Sequence, residues 1–180
     1  MLNWLRTNVY ASVVLALLRI YLGWEWMSAG WHKLAGDKPF DASKFLQNAV
    51  NKPVLETGTT EALYPNYVAF LKSFALPNVD LFNFLIPWGE FLVGLGLLLG
   101  TLTTAAAFFG MVMNFAFMFA GTVSSNPFMA LLGFFILAAG FNAGRFGGDY
   151  WVVPWMRGLA KRIFKKDKDV PGAKPHLPAV

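Results

Sequence analysis

Cysteine is absent from this chain, which excludes disulfides, dithiol redox chemistry and any Cys-ligated iron–sulfur cluster or zinc. Histidine is nearly absent: His32 and His176 stand alone, the second in the C-terminal tail, so no metal site and no paired-histidine haem is expected. Charge is scarce too. Only 14% of the residues are charged and 56% are hydrophobic, against about a quarter charged in soluble globular proteins. That balance belongs to an integral membrane protein. The net charge of +5 is local rather than general. Beyond Trp155 the chain carries Arg157, Lys161, Arg162, Lys165, Lys166, Lys168 and Lys174 against only Asp167 and Asp169. A basic segment directly after a membrane span marks the cytoplasmic side and neighbours anionic headgroups. Membrane lipid is the partner this implies, and without a recognition module nucleic acid is not.

What is present is a series of apolar runs. Residues 9–34 form the first; it is too long for a signal peptide, is interrupted by Arg19 and lacks an A-x-A cleavage site, so it reads as a retained span. Further spans are predicted over 81–100, 104–120 and 127–143, the last opened by Pro127 at a favoured first helical position. The polar connection 35–80, broken by Pro39, Pro53 and Pro65, predicts amphipathic helices around Phe40 to Leu46 and Tyr64 to Leu76. A loop across 51–62 is an equal alternative to further helix. The expected fold is all-α: a four-transmembrane-helix bundle with an extracytoplasmic helical connection between spans one and two. Residues 1–156 would form the membrane domain and 157–180 a basic cytoplasmic tail, with both termini inside the plasma membrane.

Helical spacing places the polar residues. Ser12, Ala16, Arg19, Gly23, Trp26 and Gly30 recur at steps of three and four, which keeps them on one stripe. Small residues on such a stripe let helices approach closely in lipid. Asn83, Pro87, Glu90 and Gly94 repeat the pattern, as do Ala107, Gly110, Asn114 and Gly121, and then Ala130, Gly133, Gly140 and Gly144. Counted from the expected span ends, Arg19, Glu90 and Asn114 each lie about 15 Å deep. An Arg19–Glu90 ion pair assisted by Asn114 would satisfy all three in hydrocarbon. Such a pair has a purely structural reading, fixing helix register, beside a functional one.

Glu25, Ser28 and His32 fall on another face of the first span, flanked by Trp24 and Trp31, with Trp88 of the second span able to approach. Together they outline an aromatic pocket for a flat, partly polar ligand such as a quinone head. The plainer alternatives are tryptophan anchors at the bilayer edge and an interfacial histidine. Arg145 and Asp149 lie four apart, but Gly147 and Gly148 between them argue for local turn stabilisation rather than a helical pair.

Three segments, LLRIYLGWEWMSAGWHKL, WGEFLVGLGLLLGTLTT and NAGRFGGDYW, resemble the DoxX family of four-helix membrane proteins over roughly residues 10–155. The DoxD branch of that family includes the large subunit of thiosulfate:quinone oxidoreductase. The resemblance carries the family's arginine to Arg19, its glycines to Gly23 and Gly30, its lysine to Lys33, its glutamate to Glu90 and its terminal aspartate to Asp149. It implies thiosulfate oxidation to tetrathionate with electrons passed to quinone, and a companion redox subunit that this chain does not contain. On that reading Arg19, Glu90, Glu25 and His32 act in catalysis, Trp24, Trp26, Trp88 and Asn114 hold the quinone, and Arg19 and Lys33 attract the anionic substrate. A scaffold for an extracytoplasmic redox partner is the rival from another class, and homo-oligomerisation is open to both. A small-solute carrier is a third, weakened by the lack of an inverted repeat.

Overall fold

The computed structural model describes residues 2–166. Helix α1 (Leu2–Thr7) leads into α2 (Val9–Leu34) through a single extended residue, Asn8. Its Oδ1 accepts the amides of Tyr10 and Ala11 at 2.8 and 3.1 Å, the cap that asparagine offers a first helical turn. The 26 residues of α2 run about 39 Å at helical rise, beyond a hydrocarbon core of roughly 30 Å. Two short helices follow, α3 (Ser43–Asn51) and α4 (Pro65–Phe70), and α4 passes directly into a π-helical turn, Leu71–Ala75. The remaining helices are α5 (Val79–Leu99), α6 (Thr103–Phe119), α7 (Asn126–Ala139), α8 (Phe141–Gly144) and α9 (Asp149–Lys166). Among the described residues no strand forms, only an isolated antiparallel bridge between Leu55 and Ala62.

Three stretches are long and apolar enough to cross a membrane: α2, α5 and Asn126–Gly144. Helix α6 is equally apolar but has 17 residues. The run expected to continue to Ala143 breaks at Gly140, whose φ of 57° and ψ of −129° no residue with a Cβ adopts easily. The four apolar helices surround one core, with Leu15, Leu22 and Trp26 of α2 meeting Val93 and Leu97 of α5, Ala107 of α6 and Ile136 of α7. We call the end where α1, the α5–α6 turn and α8 gather the lower end, and the end covered by residues 35–80 the upper.

The closest seam joins α2 and α5, which run antiparallel. Gly23 packs against Leu97 and Leu98, Gly30 against Pro87 and Phe91, and Gly94 against Met27. These contacts fix the register, so Arg19 lies beside the Gly100 turn that ends α5. On α6, Gly110 takes the edge of the Trp26 indole.

The 35–80 connection contains the expected amphipathic helices, but they fold into a cap with its own small core. Ala42, Leu46 and Ala49 pack on Leu71 and Ala75. Asp41 accepts the Ser43 amide and hydroxyl at 2.9 and 2.6 Å, and those bonds hold its carboxyl below the usual carboxylate range. Asn83 of α5 ties the cap down by accepting the Ala42 amide at 2.7 Å. Tyr67 does so on the other side, donating its hydroxyl to the Ala116 carbonyl at 2.9 Å, and burial raises that phenol above its ordinary range.

Candidate functional site

The expected Arg19–Glu90–Asn114 cluster does not form. On α2, Arg19 and the residue facing Glu90 are about twelve positions apart, about 18 Å at helical rise. The depth count set the start of α2 level with the end of α5, whereas α2 begins well below that end, where α1 and α8 flank it. The two charges are met separately, at opposite ends of the same seam.

At the lower end, the Arg19 guanidinium donates to the carbonyls of Leu97 and Leu98, the second at 3.1 Å, and to Phe146 at 3.2 Å. It thereby caps the C-terminus of α5, where a cation is favoured by the unpaired carbonyls. Asp149 acts on it electrostatically and is itself fully engaged. Its carboxylate accepts the amides of Leu102 and Thr103 at 2.6 and 3.0 Å, capping α6 and holding Leu102 at a φ of 54°. So Asp149 stabilises a remote turn, not a local pair with Arg145. Arg19 is 2% exposed, and its Nε is buried without a hydrogen-bond partner.

At the upper end, Glu90 pairs with Lys33: Oε2 and Nζ are 2.5 Å apart, with the glutamate side chain 4% exposed and the lysine 29%. Lys33 also lies 5.9 Å from the centre of the Phe40 ring. The pair forms one wall of a cavity of about 360 Å³ bounded by Glu25, Trp26 and Ala29 of α2, by Phe40 and Phe45 of the cap, and by the Ser124–Asn126 turn. Glu25 is half-buried there and has no ion-pair partner among the described residues. Trp26 Nε1, a donor, and Asn114 Oδ1, an acceptor, are both buried without hydrogen-bond partners. Buried polar atoms are normally satisfied; Trp26 lines the cavity but its Nε1 faces Gly110, and Asn114 is outside the cavity lining.

The cavity adjoins an apolar groove of about 610 Å³ between α5 and α6, with Phe45, Ile86 and Phe117 lining both. Leucine, phenylalanine, valine and methionine dominate that groove, and its one polar side chain, Tyr67, has spent its hydroxyl on Ala116. From Phe82 to Val93 of α5 it runs about 16 Å.

A comparison with protein-family sequence models matches DoxX over residues 14–123, from α2 through the cap to the turn after α6. The chain belongs to the DoxX family. No curated protein and no solved structure matches it. Family and helices together make this DoxX protein a membrane protein. The match stops short of Asp149, so the clasp beneath α5 is read from this chain alone.

Three residues expected in the DoxX chain's pocket stand elsewhere. Trp88 is exposed and packs on Phe84 and Phe91, because two residues from Glu90 is about 200° around a helix. Trp24 is 58% exposed, one position before Glu25 and two before Trp26, and turned outward. His32 is exposed in the last turn of α2, past the cavity face centred on Ala29 and Lys33. Arg19 and Lys33, expected to share an anion, are held at opposite ends. Glu25, Trp26, Lys33 and Glu90 do meet. Phe45, Phe117 and the Ser124–Asn126 turn complete the walls and were not foreseen; the proline after Asn126 signalled a helix start there, but not that it faces the cavity.

Proposed function

We propose that this DoxX protein is the quinone-holding membrane subunit of an oxidoreductase, of the thiosulfate:quinone kind that characterises the DoxD branch. In this reading α2, α5, α6 and Asn126–Gly144 cross the plasma membrane as four spans. Residues 1–156 form that membrane domain, the cap lies outside, and both termini lie in the cytoplasm with the basic tail, an orientation supported by the cations beyond Trp155.

The observation that carries the reading is a polar cavity set against an apolar groove, with Phe45, Ile86 and Phe117 shared between them. A quinone has two carbonyl acceptors on a flat ring and an apolar tail. Lys33 Nζ supplies a donor for the first, the Trp26 indole lines the same cavity, and the groove suits the second. When bound, a quinone accepts two electrons and two protons. Glu90 holds the Lys33 ammonium in place, Glu25 offers a second carboxylate able to hold a proton, and Phe40 and Phe45 keep bulk water from the ring.

Charge assigns the sulfur chemistry. Joining two thiosulfates by a new S–S bond would release the two electrons needed, with two protons, for the reduction of a bound quinone to quinol. The cavity holds two carboxylates against one ammonium, so a sulfur dianion is repelled from it. In this reading thiosulfate is bound by a companion subunit rather than by the Arg19 and Lys33 site expected from sequence. The folded cap with its own core equally supports the scaffold reading, and quinone binding separates the two.

The test is titration of the purified chain in lipid nanodiscs with a short-tailed quinone, followed by tryptophan fluorescence. Saturable quenching is expected, reduced by Trp26→Phe, with about tenfold weaker binding in Lys33→Met from loss of a charged hydrogen bond. Quenching that never saturates, or that Lys33→Met leaves unchanged, overturns the assignment.

A further inference from the structure

Helix α9 is two-faced. Trp151, Trp155, Leu159 and Ile163 recur every four residues and, with Met156 at their flank, form one apolar stripe. Every one of them is exposed, Trp151 by 70% and Trp155 by 67%. Arg157 and Lys161 recur at the same interval on the opposite side, and Arg162 borders the stripe. From Tyr150 to Lys166 there are five cations and no acid. Asp149, which precedes them, is committed to the Leu102 and Thr103 amides.

The start of α9 is pinned across the lower end of the bundle. Asp149 is bound to the first residues of α6, and two turns later the Arg157 guanidinium lies 5.9 Å from the Phe141 ring centre at the start of α8. Those residues span about 12 Å of helix, yet both anchor points belong to the lower end. The helix therefore sets out across the bundle end and does not prolong a span. Trp4 of α1 is exposed at that end as well.

We propose that α9 lies in the plane of the host bilayer and binds its anionic phospholipid headgroups. Its apolar stripe is larger than water tolerates without a partner, and the boundary between headgroups and acyl chains solvates that stripe and the cations together. Tryptophans favour that depth. The five cations outnumber the acids Asp167 and Asp169 that follow them, and that excess selects anionic over zwitterionic lipid. The inference is independent of the quinone reading.

The test uses the natural absence of cysteine. Trp155→Cys, carrying a polarity-sensitive fluorophore, is placed in nanodiscs of phosphatidylcholine alone or mixed with phosphatidylglycerol. Blue-shifted emission and protection from acrylamide are expected in the anionic discs, lessened by salt. Each cation neutralised among Arg157, Lys161 and Arg162 should lower the docked-to-free ratio about fivefold. Leu159→Cys labelled in the same way reads the stripe with Trp155 intact. Emission that is equal in the two discs at both positions overturns the anionic selection, and labels open to acrylamide in both discs overturn the in-plane placement as well.

Discussion

Gly94→Val should leave no monodisperse protein in detergent. A Cβ at Gly94 lands on the Met27 backbone, colliding with its amide nitrogen and lying 2.5 Å from its Cα. Backbone cannot turn aside as a flexible side chain does. Gly30 and Gly23 are held as tightly on the same seam, their added Cβ atoms 2.8 Å from Phe91 Cα and Leu98 N. Overpacking a repackable core costs about 1–3 kcal/mol; this site has no room to repack, and the loss is expected to exceed about 3 kcal/mol of a net stability of about 5–15. Gly158→Val is the control, since nothing lies within 4 Å of its added Cβ. Size-exclusion profiles and thermal midpoints of the two variants decide the matter. A Gly94→Val protein that melts with the wild type would mean that the α2–α5 register is wrong.

Asp149→Ala carries the second large effect. It orphans the Leu102 and Thr103 amides, frees the left-handed Leu102 turn and removes the countercharge of the buried Arg19. Breaking a buried charge arrangement on one side costs about 3–5 kcal/mol. Double-mutant cycles on thermal unfolding locate the partner of Arg19. Arg19→Met and Asp149→Ala should cost less together than the sum of the singles. Arg19→Met and Glu90→Gln should add, because sites about 18 Å apart without shared neighbours rarely couple. Coupling to Glu90 instead would restore the midplane pair that sequence depth suggests.

Those two cycles separate what the sequence encodes openly from what it hides. The inward face of each helix was legible: Ser12, Arg19, Gly23, Trp26 and Gly30 are all buried, with Ala16 half-buried. Periodicity reports a side chain's angle about its own axis. It does not report how far one helix slides along another. That offset comes from the interlocking of Gly23, Gly30 and Gly94 with their neighbours, which only assembled helices reveal. Hence Glu90 was rightly placed inward and given the wrong cation. The role of Asp149 was hidden for a different reason: it holds Leu102 in a left-handed conformation that leucine does not advertise. The cap helices were visible as short amphipathic runs, but the meeting of Phe45 and Phe117 where cavity and groove adjoin rests on contacts between segments far apart in sequence.

The central claim, that the cavity beside Lys33 and Glu90 holds a quinone with its tail in the groove between α5 and α6, is tested most directly by photo-crosslinking. A quinone bearing a photoreactive group partway along its tail is bound to the protein in nanodiscs, irradiated and mapped by peptide mass spectrometry. Adducts should concentrate on Phe45, Ile86, Phe117 and the groove residues Leu92 and Val112, and excess unlabelled quinone should compete them away. Adducts scattered over outward residues such as Phe108, Phe128 and Phe134, unaffected by competitor, would show a quinone dissolved in lipid and would contradict the account.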